Sequence, residues 1–301
     1  MGQRAEARQV AQPSVGGLRD PWENFDNPDL LTRVFGTLSV VIALETYFSY
    51  PAVGLLAGLV IGLTGMGGGV LLTPIMVIGL GVPANVAVSN DLLISLLVKP
   101  FGSFTHHRAG TVRRDVVRRL VIGSVPAAFV GSVVMNLLLD GNAEIIKLLI
   151  GVTLSLAAAA MVARMIVGRR SSIQPDDGEV GQARAVATIA VGVVGGVLVG
   201  ITSVGSGSLM LVLLTWLYPR LTGRELVGTD LAQAIPLVAS AVVGHLLFGD
   251  IRLSIVAPVV LGAIPGVVVG SRLSSRMPDG VLRPVLAVLV GASGLRLAGV
   301  I

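Results

Sequence analysis

The chain has 301 residues, of which 53% are hydrophobic and only 13% are charged, and its formal net charge is +5. A soluble protein of this length needs more charged side chains to cover its surface, so the composition excludes an ordinary soluble domain. The basic residues occur in a few loops, as the positive-inside rule expects, and we predict a lipid bilayer around the chain and no nucleic-acid partner. Cysteine is absent, which excludes disulfides and thiolate sites.

The N-terminal region is polar and is followed by a series of apolar runs. We predict a flexible cytoplasmic tail at 1–33 and a hydrophobic helix at 34–50 that crosses the membrane once. Later runs are long enough to span a hydrocarbon core of about 30 Å, and they lie at 86–104, 120–139, 145–167, 226–248, 253–270 and 281–301. The pattern predicts an all-α polytopic protein of the cytoplasmic membrane with its N-terminus in the cytoplasm.

A glycine-rich stretch, Gly62-Leu-Thr-Gly-Met-Gly-Gly-Gly69, interrupts the first apolar region after the helix at 34–50. Gly54, Gly58 and Gly62 are spaced by four residues, which indicates close helix packing. The consecutive glycines that follow predict a break in the helix. The arms at 51–63 and 70–82 are too short for a comfortable crossing, so the segment is either a re-entrant hairpin or two short crossings.

The same pattern occurs a second time, as Gly200-Ile-Thr-Ser-Val-Gly-Ser-Gly207 preceded by Gly192 and Gly196. Further on, and with one residue inserted, Asn90-Asp91 corresponds to Thr229-Asp230. Other shared positions keep this register, and they are His106 with His245, Gly110 with Gly249, Gly123 with Gly262, Pro126 with Pro265 and Gly131 with Gly270. The chain therefore divides into two homologous halves, 51–168 and 186–301, with a polar cytoplasmic linker at 169–185.

The basic residues indicate that the two halves have opposite orientations. The loop at 106–119 carries five arginines, whereas the corresponding loop at 249–252 carries one. In the next loops the order reverses, because 140–144 has no Lys or Arg and 271–283 has three Arg. Equivalent loops should therefore face opposite sides of the membrane. We predict an inverted repeat in which each half contains a broken or re-entrant segment and three transmembrane helices.

The two breaks predict a binding site for an anion near the middle of the membrane. A break exposes the N-terminus of the next half-helix, where free N–H groups attract negative charge. A nucleotide loop is not predicted, because Val70-Leu71 stands where a phosphate loop needs Lys followed by Ser or Thr. The predicted substrate-binding residues are Thr64, Gly65, Gly67, Gly68, Gly69, Thr202, Ser203, Gly205, Ser206, Gly207, Asn90, Thr229 and Lys99.

Four ionisable residues in the apolar runs are candidates for coupling transport to a gradient: Asp91, Asp230, His106 and His245. The two aspartates lie near predicted helix starts, so each either caps a helix or serves transport. Lys99 either attracts an anion or extends its ammonium group to the membrane interface. The two histidines either bind protons or make hydrogen bonds near the ends of their helices.

These motifs resemble the TauE/SafE transporters, the sulfite exporter and toluene-sulfonate uptake permease group. The resemblance covers about 51–301, and it rests on Gly58-Leu-Val-Ile-Gly-Leu-Thr-Gly-Met-Gly-Gly-Gly69, Thr73-Pro74, Ala87-Val-Ser-Asn-Asp91, Arg108-Ala-Gly-Thr-Val112, Val227-Gly-Thr-Asp230 and His245-Leu-Leu-Phe-Gly-Asp-Ile251. It implies a secondary carrier of sulfite, sulfonates or sulfoacetate-like anions. Two features depart from the family pattern: the second break is poorer in glycine, and Asp91 stands where a small hydroxyl residue is commoner.

The sequence is compatible with two functional classes. The first is a secondary transporter of a small sulfur-containing anion that works by alternating access and uses a proton or ion gradient. The second is a cation carrier with Asp91 and Asp230 as ligands. A membrane enzyme would need a nucleophile–base pair or a metal cluster within the spans, so we predict no enzyme, catalytic residue, metal or cofactor. The sequence leaves substrate, direction, coupling ion and oligomeric state open, a homo-oligomer included.

Overall fold

A computed structural model describes part of the chain, and every regular element in it is helical. The described ranges are 49–63, 69–108, 111–139, 142–167, 182–207, 209–274 and 279–300. The predicted tail at 1–33, nearly all of the predicted helix at 34–50 and most of the predicted linker at 169–185 lie outside these ranges.

Five helices make up the first half of the described chain. The predicted short arms are α1, Ser49–Leu63, and α2, Gly69–Gly79. Helix α2 is α-helical over Gly69–Pro74 and π-helical over Ile75–Gly79. Three long helices follow, and they are α3 at Ala84–Arg108, α4 at Arg114–Leu138 and α5 at Ala143–Val167. The described part of α1 thus includes Ser49 and Tyr50, which belong to the range predicted for the separate helix at 34–50.

The second half contains the matching series of five helices. They are α6 at Gln182–Thr202, α7 at Leu209–Leu217, α8 at Gly223–Phe248, α9 at Leu253–Ser274 and α10 at Asp279–Leu297. Helix α8 begins with a capping box, in which the Thr222 hydroxyl accepts from the Glu225 N–H and the Glu225 carboxylate accepts from the Thr222 N–H. Helix α6 begins four residues before the boundary predicted for the second half.

Length and composition make five of the described helices capable of crossing a membrane. These are Arg114–Leu138, Ala143–Ala163, Arg184–Thr202, Glu225–Phe248 and Leu253–Gly270. Large apolar side chains point outward from them, as Leu138, Leu246 and Leu261 do with exposed fractions of 70%, 61% and 72%. Such surfaces are costly in water and favourable in lipid. The protein is therefore a multi-pass membrane protein.

The four-residue glycine spacing packs helices closely, as predicted. A Cβ atom on Gly54 or Gly58 of α1 would collide with the backbone of Val259 or Ala263 in α9. Gly192, Gly196 and Gly200 of α6 lie in the same way against the backbone of α4 at Leu120, Ser124 and Ala128. These contacts confirm that the small residues let the backbones approach.

The contacts also give the relative directions of the helices. Along α4 and α6 the contacting residues rise together, from Leu120 beside Gly192 to Ala128 beside Gly200, so these two helices are parallel. Helices α5 and α10 run antiparallel, because Gly151 lies beside Ala298 while Ser155 lies beside Gly294.

Helices α3 and α8 are likewise antiparallel. Ser89, near the start of α3, hydrogen-bonds His245, near the end of α8. Thr111, which follows α3, lies against Gly228, near the start of α8. The long helices that correspond in the two halves therefore point in opposite directions wherever they pack against each other.

Helix α7 returns along α6. The hydroxyl groups of Thr188, in the second turn of α6, and Tyr218, directly after α7, are 2.6 Å apart in a hydrogen bond. Thus the segment after Thr202 bends back, and the chain leaves α7 beside the second turn of α6.

Candidate functional site

The connection between α6 and α7 adopts backbone conformations that favour glycine. Helix α6 ends at Thr202, and residues 203–207 are not helical. Gly205 and Gly207 have φ angles of 119° and 120°, and Ser203 has a φ angle of 58°. Glycine adopts positive φ without steric cost, whereas a serine there stores backbone strain. We name residues 203–207 the α6–α7 connection.

The start of α2 lies directly against this connection. A Cβ atom on Gly69 would collide with the carbonyl oxygen of Ser203 and would lie 3.2 Å from Oδ2 of Asp91. The two glycine-rich segments of the sequence are therefore in contact at this point. Thr64, Gly65, Gly67 and Gly68, the other predicted site residues of the first segment, lie outside the described residues.

Asp91 joins the two segments through its carboxylate, which is fully buried. Its Oδ2 atom accepts hydrogen bonds from the Thr73 hydroxyl at 2.5 Å and from the Ser203 hydroxyl at 2.9 Å. Its Oδ1 atom lies 3.5 Å from the Ser95 hydroxyl one turn further along α3. Helix α2, helix α3 and the α6–α7 connection therefore meet at the Asp91 carboxylate.

The interpretation of Asp91 and Asp230 as helix caps is wrong. Helix α3 starts at Ala84 and α8 at Gly223, so both aspartates lie two turns inside their helices. The helices begin in polar or turn-forming residues before the apolar runs, and the cap of α8 is Thr222. Asp230 is 2% exposed and therefore as buried as Asp91.

Lys99 is also buried, with an exposed fraction of 4%. Its ammonium group donates a hydrogen bond of 2.7 Å to the hydroxyl of Ser206 in the α6–α7 connection. It interacts electrostatically with the carboxylates of both Asp91 and Asp230. The alternative in which Lys99 reaches out to the membrane interface is therefore wrong, since the side chain turns inward toward two opposite charges.

The other polar residues of the second segment stabilise its backbone. The Thr202 hydroxyl donates to the Leu198 carbonyl at 2.7 Å and accepts from the Val204 N–H at 3.2 Å. Thr202 thus ends α6 and starts the bend. Gly205 and Gly207 contribute backbone alone, through their positive φ angles.

Asn90 and Thr229 bond to loops. The Asn90 amide oxygen accepts from the Arg252 N–H at 2.8 Å, in the loop between α8 and α9. The Thr229 hydroxyl accepts from the Arg113 N–H at 3.1 Å, in the loop between α3 and α4. Each residue thus ties its own helix to a loop of the other half, and these bonds do not lead to the Lys99–Ser206 pair.

His245 is fully buried among four helices. Its Nε2 atom lies 3.0 Å from the Gly200 carbonyl, and its Nδ1 atom lies within 3.0 Å of the side chains of Asn136 and Ser89. Because a carbonyl only accepts, the ring proton is on Nε2 and Nδ1 accepts from the Asn136 amide. These bonds favour the hydrogen-bonding alternative for His245. His106 lies in α3, and its side chain is outside the described residues.

Thr73 and Ser95, the hydroxyl partners of Asp91 in α2 and α3, are not among the residues predicted from the sequence. Thr73 is four residues after Gly69 in α2, and Ser95 is four residues after Asp91 in α3. Hydroxyl residues one turn from a glycine break or an embedded carboxylate are the signal that was available. Within the described ranges no cluster of three or more His, Cys, Asp or Glu side chains has the arrangement of a metal site.

The sequence that forms this site matches a known protein family. The family model described as sulfite exporter TauE/SafE matches residues 50–297. The chain belongs to the TauE/SafE family. The match covers both glycine-rich segments and, apart from Ser49, the ten helices of the described residues.

Three relatives from Bacillus subtilis (strain 168) are similar in sequence to this chain over most of their length. The probable membrane transporter protein YjnA is 36% identical over 249 residues, which are 81% of this chain and 96% of the relative. YdhB and YunE, also described as probable membrane transporter proteins, are 24% and 25% identical over 80% and 81% of this chain and 96% and 94% of theirs. No solved structure matches the chain. The TauE/SafE chain described here is thus a membrane transporter by its family.

Proposed function

We propose that this TauE/SafE protein is a secondary transporter of a small sulfur-containing anion, such as sulfite, a sulfonate or a sulfoacetate-like compound. The observation that carries the proposal is the buried Lys99 ammonium group, which is hydrogen-bonded to Ser206 in the α6–α7 connection. The family name supports the substrate class, because the matching model is described as a sulfite exporter.

The chemistry of this pair suits an oxyanion. Lysine has three N–H donors, of which Ser206 accepts one. The Ser206 oxygen accepts that bond, so its own O–H remains a donor. A sulfonate or sulfite group has several acceptor oxygens and gains most from charged donors in surroundings of low dielectric. Gly69, Gly205 and Gly207 have no side chains that would fill the space beside this pair.

We further propose that the two halves, 51–168 and 186–301, form an inverted repeat. The bond from the Arg252 N–H to Asn90 and the bond from the Arg113 N–H to Thr229 join positions that correspond under the repeat register. Helix α1 packs on α9, and its counterpart α6 packs on α4, the counterpart of α9. A pseudo-twofold axis in the membrane plane produces such reciprocal contacts, and it also makes corresponding helices antiparallel.

The proposed topology follows from this symmetry and from the charges. Helices α6 and α7 enter from and return to the cytoplasmic side, and α1 and α2 enter from and return to the other side, each pair as a re-entrant hairpin or as two crossings. The loops rich in arginine, together with the tail at 1–33 and the linker at 169–185, then lie in the cytoplasm. We place the protein in the cytoplasmic membrane, where alternating access carries the anion across under a proton or ion gradient.

A cation carrier is the second candidate function, and one observation favours it. Asp91 and Asp230 are both buried and both interact with Lys99, and carboxylates are preferred ligands of hard cations. In that case both aspartates are essential for binding and Lys99 is dispensable. For an anion site we expect the reverse order of importance.

Ligand-dependent thermal stabilisation of the purified protein tests the proposal. The panel contains sulfite, thiosulfate, sulfoacetate, taurine, carboxylates and divalent cations, since a ligand that prefers the folded state raises the unfolding temperature. We expect a sulfur anion to stabilise the protein, Lys99→Gln to abolish this shift and Lys99→Arg to retain part of it. The matched control is Lys147→Gln, an exposed lysine in α5 that pairs with Glu144.

The cation function makes a different prediction in the same experiment. Stabilisation by cations alone, lost in Asp91→Asn and in Asp230→Asn but kept in Lys99→Gln, would contradict anion transport. In that outcome the glycine residues around the site serve helix packing only.

A further inference from the structure

Buried ionisable side chains of α3 and α8 interact with one another. Among the Asp, Glu, Lys and Arg side chains of the described residues, Asp91, Asp230 and Lys99 are buried, and Arg119 has one buried guanidinium nitrogen. Both carboxylates interact with the Lys99 ammonium group. While the carboxylates are ionised, they repel an anion that enters beside Lys99. Because buried charges are costly unless they are paired, anion entry favours the neutralisation of one carboxylate.

The hydrogen-bond donors around Asp91 independently indicate that anion binding favours the neutral form of a carboxyl group. A hydroxyl group has one proton to donate, and the hydroxyls of Thr73 and Ser203 both donate theirs to Oδ2 of Asp91. While Asp91 is ionised, neither hydroxyl is available to a substrate. The Ser206 hydroxyl, in contrast, accepts from Lys99, so its oxygen is not the donor in that bond. Ser203 and Ser206 are three residues apart in the same connection, so an anion held by Ser206 and Lys99 lies close to the donors that Asp91 occupies.

We propose that Asp91 is a tethered anion that competes with the substrate, and that the substrate anion binds together with one proton taken up by the Asp91 carboxyl group. The inference rests on the proposed anion transport and specifies its coupling. The proton forms an O–H bond on the carboxyl group, which then needs fewer donors and becomes a donor itself. The hydroxyls of Ser203 and Thr73 are released, and the Ser203 hydroxyl turns to the oxyanion. Proton and anion cross together as a symport.

The groups that face Asp91 are consistent with this role. On its own helix they are Ser95 and Lys99, on α2 Thr73 and on the α6–α7 connection Ser203. Asp230 of α8 interacts with Lys99. Helix α2 contains no ionisable side chain. The buried histidine of α8, His245, bonds to Ser89 and Gly200. Under the repeat register, Leu211, Ala234 and Gly65 correspond to Thr73, Ser95 and Ser203, so no hydroxyl residue stands at these corresponding positions.

Isothermal titration calorimetry in two buffers of different ionisation enthalpy counts the protons taken up for each anion bound. The probes are sulfoacetate and thiosulfate, whose charge stays constant near neutral pH. For the wild-type protein we expect uptake of about one proton per anion and an affinity that falls about tenfold for each unit by which the pH rises. In Asp91→Asn, which cannot ionise, we expect tighter binding, no proton uptake and no pH dependence. The matched control is Asp115→Asn, an exposed aspartate in α4.

Each outcome decides the inference. Binding to the wild-type protein without proton uptake overturns it while leaving anion transport intact, and this measurement does not depend on the folding of any variant. Equal proton uptake by Asp91→Asn and the wild-type protein also overturns it, as does binding that requires Na⁺ and takes up no proton. If neither probe binds to either protein at any pH, anion transport itself is rejected, and the inference with it.

Discussion

At the scale of single residues, the site combines side chains whose roles follow from their hydrogen-bonding capacity. Lys99 can only donate and Asp91, when ionised, can only accept. These two residues of α3 hold two serines of the same connection, Ser206 and Ser203. One helix of the first half therefore supports the strained bend of the second half, where Ser203 has a positive φ angle.

His245 provides a prediction at this scale. His245→Ala leaves the Asn136 amide, the Ser89 hydroxyl and the Gly200 carbonyl without their common partner and creates a cavity, so we expect a loss of about 2–4 kcal/mol in the free energy of unfolding. Thermal unfolding in detergent measures it. The control is Leu246→Ala, because the neighbouring Leu246 is 61% exposed toward lipid. If His245 couples protons, the variant also changes the number of protons bound with substrate, which we do not expect.

At the scale of helices, small residues decide which backbones can approach. Gly58 of α1 lies against Ala263 of α9, whereas a Cβ atom on Gly79, at the end of α2, would meet only Ile75 at an ordinary distance of 3.7 Å. Glycine in a helix is otherwise unfavourable by up to about 1 kcal/mol relative to alanine. The same chemical change therefore has opposite consequences at these two positions.

The pair Gly58→Ala and Gly79→Ala tests the packing. For Gly58→Ala we expect destabilisation of about 1–3 kcal/mol, because the added methyl group forces α1 away from α9. For Gly79→Ala we expect no loss. The unfolding temperatures of the two purified variants give the comparison. Equal behaviour of both would show that the contact between α1 and α9 does not need a bare backbone.

At the scale of the whole molecule, the proposed inversion has a direct consequence. Asp115 in the first turn of α4 corresponds in the repeat to Ser254 in the first turn of α9, and both are exposed. An inverted repeat places these positions on opposite sides of the membrane, whereas a repeat of the same orientation places them on one side.

Single cysteines at these positions distinguish the two arrangements, and the chain offers a background without native cysteine. We expect Asp115→Cys to react with a membrane-impermeant thiol reagent only from the cytoplasmic side and Ser254→Cys only from the opposite side. Asn142→Cys serves as the control, because the loop between α4 and α5 belongs on the same side as Ser254. Labelling of Asp115→Cys and Ser254→Cys from one side would reject the inversion.

The sequence by itself determined the helical membrane class, the long helices and the close packing of helices at the four-residue glycine spacing. Hydrophobic run length and four-residue spacing are local properties of the sequence, so they can be recognised without knowledge of the fold. The family followed from motifs that recur in both halves and was confirmed by the match over 50–297.

Only the tertiary structure decided which polar groups meet. Asp91 lies near a predicted helix start, and sequence alone leaves capping and transport equally open; the observed start of α3 at Ala84 places it two turns inside. The bonds from Lys99 to Ser206 and from Asp91 to Ser203 join residues 107 and 112 positions apart. Such partners are set by how α2, α3 and the α6–α7 connection pack. No local pattern encodes that packing, because it depends on every helix around the site at once.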